Sequence, residues 1–192
     1  MSAKDQIVEA ACDLLESQGF HATGLNQIVK ESGAPKGSLY YYFPEGKDEL
    51  AEAAIERAGL QVAERIAAGL AGEADPSVAI PAFVAQIAHF VELSGFRSGG
   101  PLMTVALETA TTNERLNRAC RAAYSRLQAA FEAKLAAGGY ARAHELAVFV
   151  TAAIEGGVVL SRVQHSGDPL RQVAKQLRRV LPHLMADGEP PE

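Results

Sequence analysis

The residues of this chain best suited to chemistry lie together: Lys36-Gly37-Ser38, then Leu39, then four consecutive aromatics, Tyr40-Tyr41-Tyr42-Phe43. The sequence holds five tyrosines, seven phenylalanines and no tryptophan, so a third of its aromatic rings occupy four positions. A short helix buries one stripe and shows the rest to water, which turns at least two of these rings outward. A phenol hydroxyl bonds phosphate oxygens while its ring packs on sugar or a thymine methyl. Lys36 adds a point charge for a phosphate or a guanine edge, and Gly37 lets the backbone approach closely. The alternative reading is a hydrophobic knot in a helical bundle, with the tyrosines filling space.

Something must hold these residues in place, and residues 25–43 have the grammar of a helix-turn-helix. Leu25, Ile28 and Val29 mark the apolar face of one helix, which ends at Ser32-Gly33. Pro35 suits the first turn of a second, very short helix reaching about Tyr42. Leu39 and one or two rings pack inward, and Lys36, Ser38 and the other rings point away. In that geometry the second helix enters the major groove with its N-terminal residues at base edges.

Alanine, leucine, glutamate and arginine dominate, β-branched alternation is absent, and the chain reads as all-α with about nine helices. Ser2 to Asp5 has the pattern of a capping box, with a stop at Gly19, and Thr23 is placed to cap the second helix. Beyond Pro44-Glu45-Gly46 a long helix runs from Lys47 to about Leu70. Helices follow from Asp75-Pro76 to about Phe96, Leu102 to Thr109, Asn113 to Leu135, Ala141 to His165, and from Asp168-Pro169 along a Leu170, Val173, Leu177, Val180, Leu181, Leu184 stripe. The end from Asp187 reads as frayed. The expected domains are residues 1–50, a three-helix DNA-binding unit, and residues 51–192, a helical ligand-binding and dimerisation unit.

With 192 residues, 48% hydrophobic and 21% charged, the chain has the make-up of an ordinary globular protein. No apolar stretch is expected to reach a membrane span, no signal segment opens the chain, and the cytoplasm is the expected compartment. The formal net charge is −5. Between His21 and Lys47 the balance is three lysines against two glutamates, so charge favours no partner. Cys12 and Cys120 read as buried thiols, with neither a disulfide nor a zinc site. No nucleophile, base and orienting residue are grouped and no phosphate loop follows a strand, so no enzyme, catalytic residue, metal or cofactor is expected.

The stretch from Phe20 to Phe43, followed by Gly46-Lys47-Asp48-Glu49-Leu50, resembles the DNA-binding region of the TetR family of bacterial transcriptional repressors. The resemblance spans roughly residues 5–52. It implies a homodimer with two N-terminal reading heads for double-stranded operator DNA and a C-terminal half that binds a small-molecule effector. It also implies DNA contacts at Thr23, Lys36, Gly37, Ser38, Tyr40, Tyr41, Tyr42 and Lys47, with Leu39 and Phe43 in the packing core. Two departures stand out: the Pro44-Glu45-Gly46 segment is one residue longer than the common spacing, and Pro35 replaces a frequent capping serine.

Gly100-Pro101-Leu102, then Val105 to Glu108, and later Ala153 to Gly156, are similar to a TetR branch that holds repressors of multidrug and flavonoid-responsive operons. An apolar or aromatic effector follows as an expectation. Candidate lining residues are Phe83, Ile87, Phe90, Met103, Leu107, Tyr124, Leu127 and Phe149, with Glu108 and Glu155 as placed polar groups. Plain core is the competing reading of the phenylalanines, and ion pairs with Arg97, Arg115 or Arg162 that of the glutamates. His89 and His144 read as surface or satisfied histidines. Gly156 to Val159 and the 170–184 stripe are apolar enough to form a four-helix bundle across a two-fold axis. A membrane-surface helix, with Arg171, Lys175, Arg178 and Arg179 on its polar side, is the alternative.

Overall fold

The computed structural model describes residues 1–185, and the expected frayed end from Asp187 lies outside the described residues. Among those residues there are nine helices and no strand: α1 (Ala3–Ala22), α2 (Leu25–Ser32), α3 (Lys36–Tyr42), α4 (Lys47–Ala71), α5 (Pro76–Leu93), α6 (Met103–Thr109), α7 (Glu114–Ala137), α8 (Ala143–Gln164) and α9 (Asp168–Leu184).

Side-chain caps explain three of the starts. At α1 the Ser2 hydroxyl accepts from the Asp5 amide at 3.1 Å, and the Asp5 carboxylate accepts from the Ser2 amide at 3.2 Å. Asp75 accepts from the Ser77 amide at 2.8 Å ahead of Pro76, and Asn113 accepts from the Leu116 amide at 3.1 Å. Each satisfies an N–H that the first turn leaves without a helical partner. Gly24, not Thr23, caps α2.

The chain divides into two compact units, and chain order does not define them. The first is Met1–Gln61 with Gly100–Ser125; the second is Val62–Gly99 with the chain from Arg126 onward. The expected boundary at residue 50 falls inside α4. In the first unit α1 packs on α2, α3 and α6. Its core holds Ile7, Ala11, Leu39, Leu50, Val105, Leu116 and Ala123, all 2% exposed or less. Residues 100–125 belong here because α6 supplies Val105 and α7 supplies Leu116 and Ala123 to that core.

In the second unit α5 packs chiefly on α9, and α8 on both. Gly157 of α8 has Leu170 of α9 so close that a Cβ would sit 2.8 Å from its Cδ2, so a larger residue would force these helices apart. The Glu92 carboxylate of α5 accepts from the Gly167 amide at 3.1 Å and from Arg171 at 2.6 Å, tying α5 to the start of α9. The arginine hydrogen bond holds the Glu92 carboxyl below the usual carboxylate range. Val180, in the apolar stripe of α9, is 38% exposed.

One expectation is corrected. Helices α5 and α8 do reach the length and mean hydropathy of a membrane span, 18 residues at 1.3 and 22 residues at 1.7. The run in α8 continues through Glu155-Gly156-Gly157, because valines and alanines on both sides outweigh one carboxylate. Of these two stretches 44% and 39% are buried within the protein.

Candidate nucleic-acid interface

The helix-turn-helix is built from α2 and α3. Gly33, in the left-handed conformation at φ 65°, ends α2 at no steric cost, and Ala34 and Pro35 complete the turn. The Ser32 hydroxyl donates to the Val29 carbonyl at 3.0 Å and accepts from the Ala34 amide at 3.2 Å, stiffening that corner. Pro35 stands at the N-cap of α3, one residue earlier than expected.

Leu39 is fully buried and Phe43 is 2% exposed, so these two side chains seat the helix. Tyr40, Tyr41 and Tyr42 are 51%, 79% and 37% exposed. Tyr41 and Tyr42 meet edge to face with ring centroids 5.0 Å apart. Lys36 and Gly37 are exposed and Ser38 is half-buried. Six of the eight candidate DNA contacts therefore share one helix and lie outside its buried stripe.

The other two sit elsewhere. Lys47 begins α4, with its Nζ 4.2 Å from the centroid of the Phe20 ring. Partial burial lowers its pKa, with Asp48 and Glu108 acting the other way. Thr23 differs from the expectation. It is 1% exposed, and its hydroxyl donates to the Gly19 carbonyl at 2.6 Å. A hydroxyl has a single hydrogen to give, so this group has none left for a phosphate. The cause is the break in α1 at Gly19 (φ 80°, ψ −179°), which turns that carbonyl toward Thr23.

Sequence reasoning also missed what surrounds the reading head. The Gln18 side chain donates to the Ala22 carbonyl at 3.0 Å and to the Gln27 side chain at 2.9 Å, joining α1 to α2. Arg115 donates to Glu52 at 2.6 Å and also pairs with Glu45, and Asn113 donates to Asp48 at 2.8 Å. These partners lie 63 to 70 positions apart, beyond any local signal.

The candidate effector residues divide between the units. Met103, Leu107, Glu108 and Tyr124 belong to the first, and Phe83, Ile87, Phe90, Leu127, Phe149 and Glu155 to the second. Leu107 is 78% exposed. Glu108, expected as a ligand group or as an arginine partner, meets the end of α1. Its Oε2 accepts from the Phe20 amide at 2.6 Å and the His21 amide at 3.0 Å. Arg97 and Arg162 donate instead to the carbonyls of Ser94 and Phe96. In the second unit Phe83 meets Phe131 edge to face at 6.1 Å, Leu127 is buried, and Phe83 and Ile87 are half-buried. Phe90 and Phe149 are about half exposed, at 45% and 49%. Phe149 lines an apolar groove of about 500 Å³ with Ala153 and Leu160 of α8 and Val173, Leu177 and Val180 of α9.

Burial raises the Cys12 thiol to about 12 and the Cys120 thiol to about 11, and no group of three or more His, Cys, Asp or Glu among the described residues is arranged for a metal.

Comparison with known proteins agrees with this geometry. Residues 7–54 match the family described as bacterial regulatory proteins, tetR family, and residues 76–176 match the LmrA/YxaF-like transcriptional regulator C-terminal domain. The chain is 39% identical to the HTH-type transcriptional regulator YxaF of Bacillus subtilis over 177 residues, covering 91% of this chain and 93% of that protein. It is 38% identical to LmrA of the same organism, covering 90% and 93%. Among solved structures, a TetR transcriptional regulator from Chloroflexus aurantiacus superposes with a TM-score of 0.79 at 28% identity, over 94% of each chain. Reduced NemR of E. coli gives 0.83 at 21% identity, over 93% and 97%, which speaks for the fold.

Proposed function

For a chain that belongs to the TetR family of transcriptional regulators, we propose a homodimeric repressor that reads operator DNA with α3 and leaves it when a small apolar or aromatic effector binds. The observation that carries the reading is the division of α3: Leu39 and Phe43 inside, Tyr40, Tyr41, Tyr42 and Lys36 outside. Tyrosine hydroxyls and one lysine fit phosphates and base edges, and the paired rings fit sugar and methyl groups. A chain with formal charge −5 has little general attraction to a polyanion, so binding rests on these few placed contacts.

Homodimerisation is supported by the outer side of α8 and α9. Phe149, Val159, Leu160 and Val163 are 49%, 41%, 51% and 73% exposed, beside the groove those helices form. A contiguous apolar surface of this kind marks an interaction face. Two copies sharing it would make a four-helix bundle, and a two-fold dimer addresses half-sites about 34–36 Å apart, one turn of DNA. An apolar effector suits the half-buried Phe83, which meets Phe131 edge to face, and the half-buried Ile87.

Coupling between effector and operator of about 1–3 kcal/mol changes either affinity by roughly 5–150-fold, and the effect is reciprocal. The test is a band shift with duplex DNA from upstream of the protein's own gene, titrated with a panel of aromatic compounds. The proposal expects a shift, lost on Tyr41→Ala, with at least one compound releasing the DNA. A shift that survives both Tyr41→Ala and Lys36→Ala would show that α3 is not the reading element.

A further inference from the structure

Glu108 sits where the last turn of α1 is interrupted. At Gly19 the helical path breaks, and the Phe20 and His21 amides that follow point to the Glu108 carboxylate instead of to carbonyls one turn back. Glycine suits position 19 on two counts: its φ of +80° strains any other residue, and a Cβ there would stand 2.4 Å from Glu108 Oε1 and push the carboxylate off these amides. The Gly19 carbonyl takes the Thr23 hydroxyl, and Gln18 carries the network on to Gln27 in α2. On the other side of the same junction the Phe20 ring carries the Lys47 ammonium. One carboxylate from α6 thus organises the corner on which both α2 and the head of α4 rest. Glu108 lies within the region that matches the C-terminal domain, while every group it holds lies within the DNA-binding match.

We infer that Glu108 is a positioning residue for operator binding: by capping the interrupted end of α1 it fixes Phe20, and through that ring the Lys47 ammonium, in the setting that meets the DNA backbone. The inference rests on the operator-binding reading above. Charge-assisted hydrogen bonds to backbone amides are short and strong, so the carboxylate resists replacement by water. A purely structural cap would lower stability without singling out Lys47; a positioning residue must act through it.

A double-mutant cycle on the full-length protein separates the two. Operator affinity is measured by fluorescence anisotropy with the upstream duplex for wild type, Glu108→Ala, Lys47→Ala and the double variant. Glu108→Ala is expected to weaken binding by roughly ten- to hundredfold, the range for losing a hydrogen bond to a charged group. The double variant is expected to bind no worse than the weaker single one, because residues acting as a unit are not additive. Glu108→Gln keeps an accepting oxygen and is expected to restore most of the affinity. Losses that multiply in the double variant, or a Glu108→Ala affinity equal to wild type, overturn the inference and leave the operator reading intact. If Glu108→Ala shows no cooperative thermal transition, the cycle is run with Glu108→Gln. Its two- to fivefold effect, about that of a half-exposed ion pair, must then vanish when Lys47 is alanine, and a loss that persists overturns the inference. Wild type that binds no duplex overturns the operator reading, and this inference with it.

Discussion

Arg115 Nε donates to the Glu52 carboxylate at 2.6 Å and joins α7 to α4 inside the first unit. The same guanidinium pairs with Glu45, in the turn directly behind α3, and the hydrogen bonds to Glu45 and Glu52 hold it firmly charged. Arg115→Ala is expected to lower the melting temperature, with the deficit narrowing as salt rises to about 1 M, because partly exposed pairs are screened. Circular dichroism melts at low and high salt check this; a deficit independent of salt would mean the side chain acts through packing alone.

Neighbours on α3 should behave in opposite ways. Leu39→Ala removes a fully buried side chain and is expected to cost about 2–5 kcal/mol of stability. Tyr41→Ala, at a 79% exposed position, is expected to change stability by less than about 0.5 kcal/mol while removing the band shift. Urea unfolding beside the band shift separates the two effects.

Val163 and Leu160, 73% and 51% exposed on α8, are the places to break the proposed dimer. Val163→Glu and Leu160→Glu together are expected to give a species of 20.3 kDa in sedimentation equilibrium, against twice that for wild type. Operator affinity should fall with it, since one reading head replaces two.

The Cys12 thiol makes a prediction about alkaline stability. Its Sγ donates to the Ala54 carbonyl at 3.3 Å, and burial, more than the nearby Glu9, raises its pKa from 9.0 to about 12. The folded protein keeps this proton to higher pH than the unfolded chain does. The stabilisation is complete below about pH 9 and is lost as pH rises through about 12. Cys12→Ala should therefore show a shallower loss of stability than wild type between pH 9 and the alkaline limit of folding, measured by urea unfolding. Parallel curves would contradict the assignment.

Local chemistry was readable in the sequence wherever it closed on itself within a turn. Ser2 with Asp5, Asp75 ahead of Pro76, and Gly33 after Ser32 each settle a helix end using neighbours a few positions away. The outward set of α3 was readable for the same reason, since Leu39 and Phe43 share one face. What escaped was decided by partners far along the chain. Thr23 looks like a cap and a phosphate contact until the broken turn at Gly19 presents a carbonyl to it. Glu108 looks like a ligand group until α6 lies against α1, 88 positions away. The apolar length of α5 and α8 was underrated for a different reason: single polar residues looked like interruptions, yet the runs on either side keep the mean hydropathy at 1.3 and 1.7.

Positions 19 and 108 also constrain how this protein can change over generations. Any side chain at 19 would have to adopt φ +80°, a strained conformation whatever the space, and would also push the Glu108 carboxylate aside. Shortening residue 108 frees the space but leaves two amides of α1 without their acceptor. Freeing that space does not relieve φ +80°, so the backbone holds position 19 to glycine whichever residue changes first. A lineage that loses the carboxylate at 108 carries a loosened reading head until α1 finds another way to close its last turn.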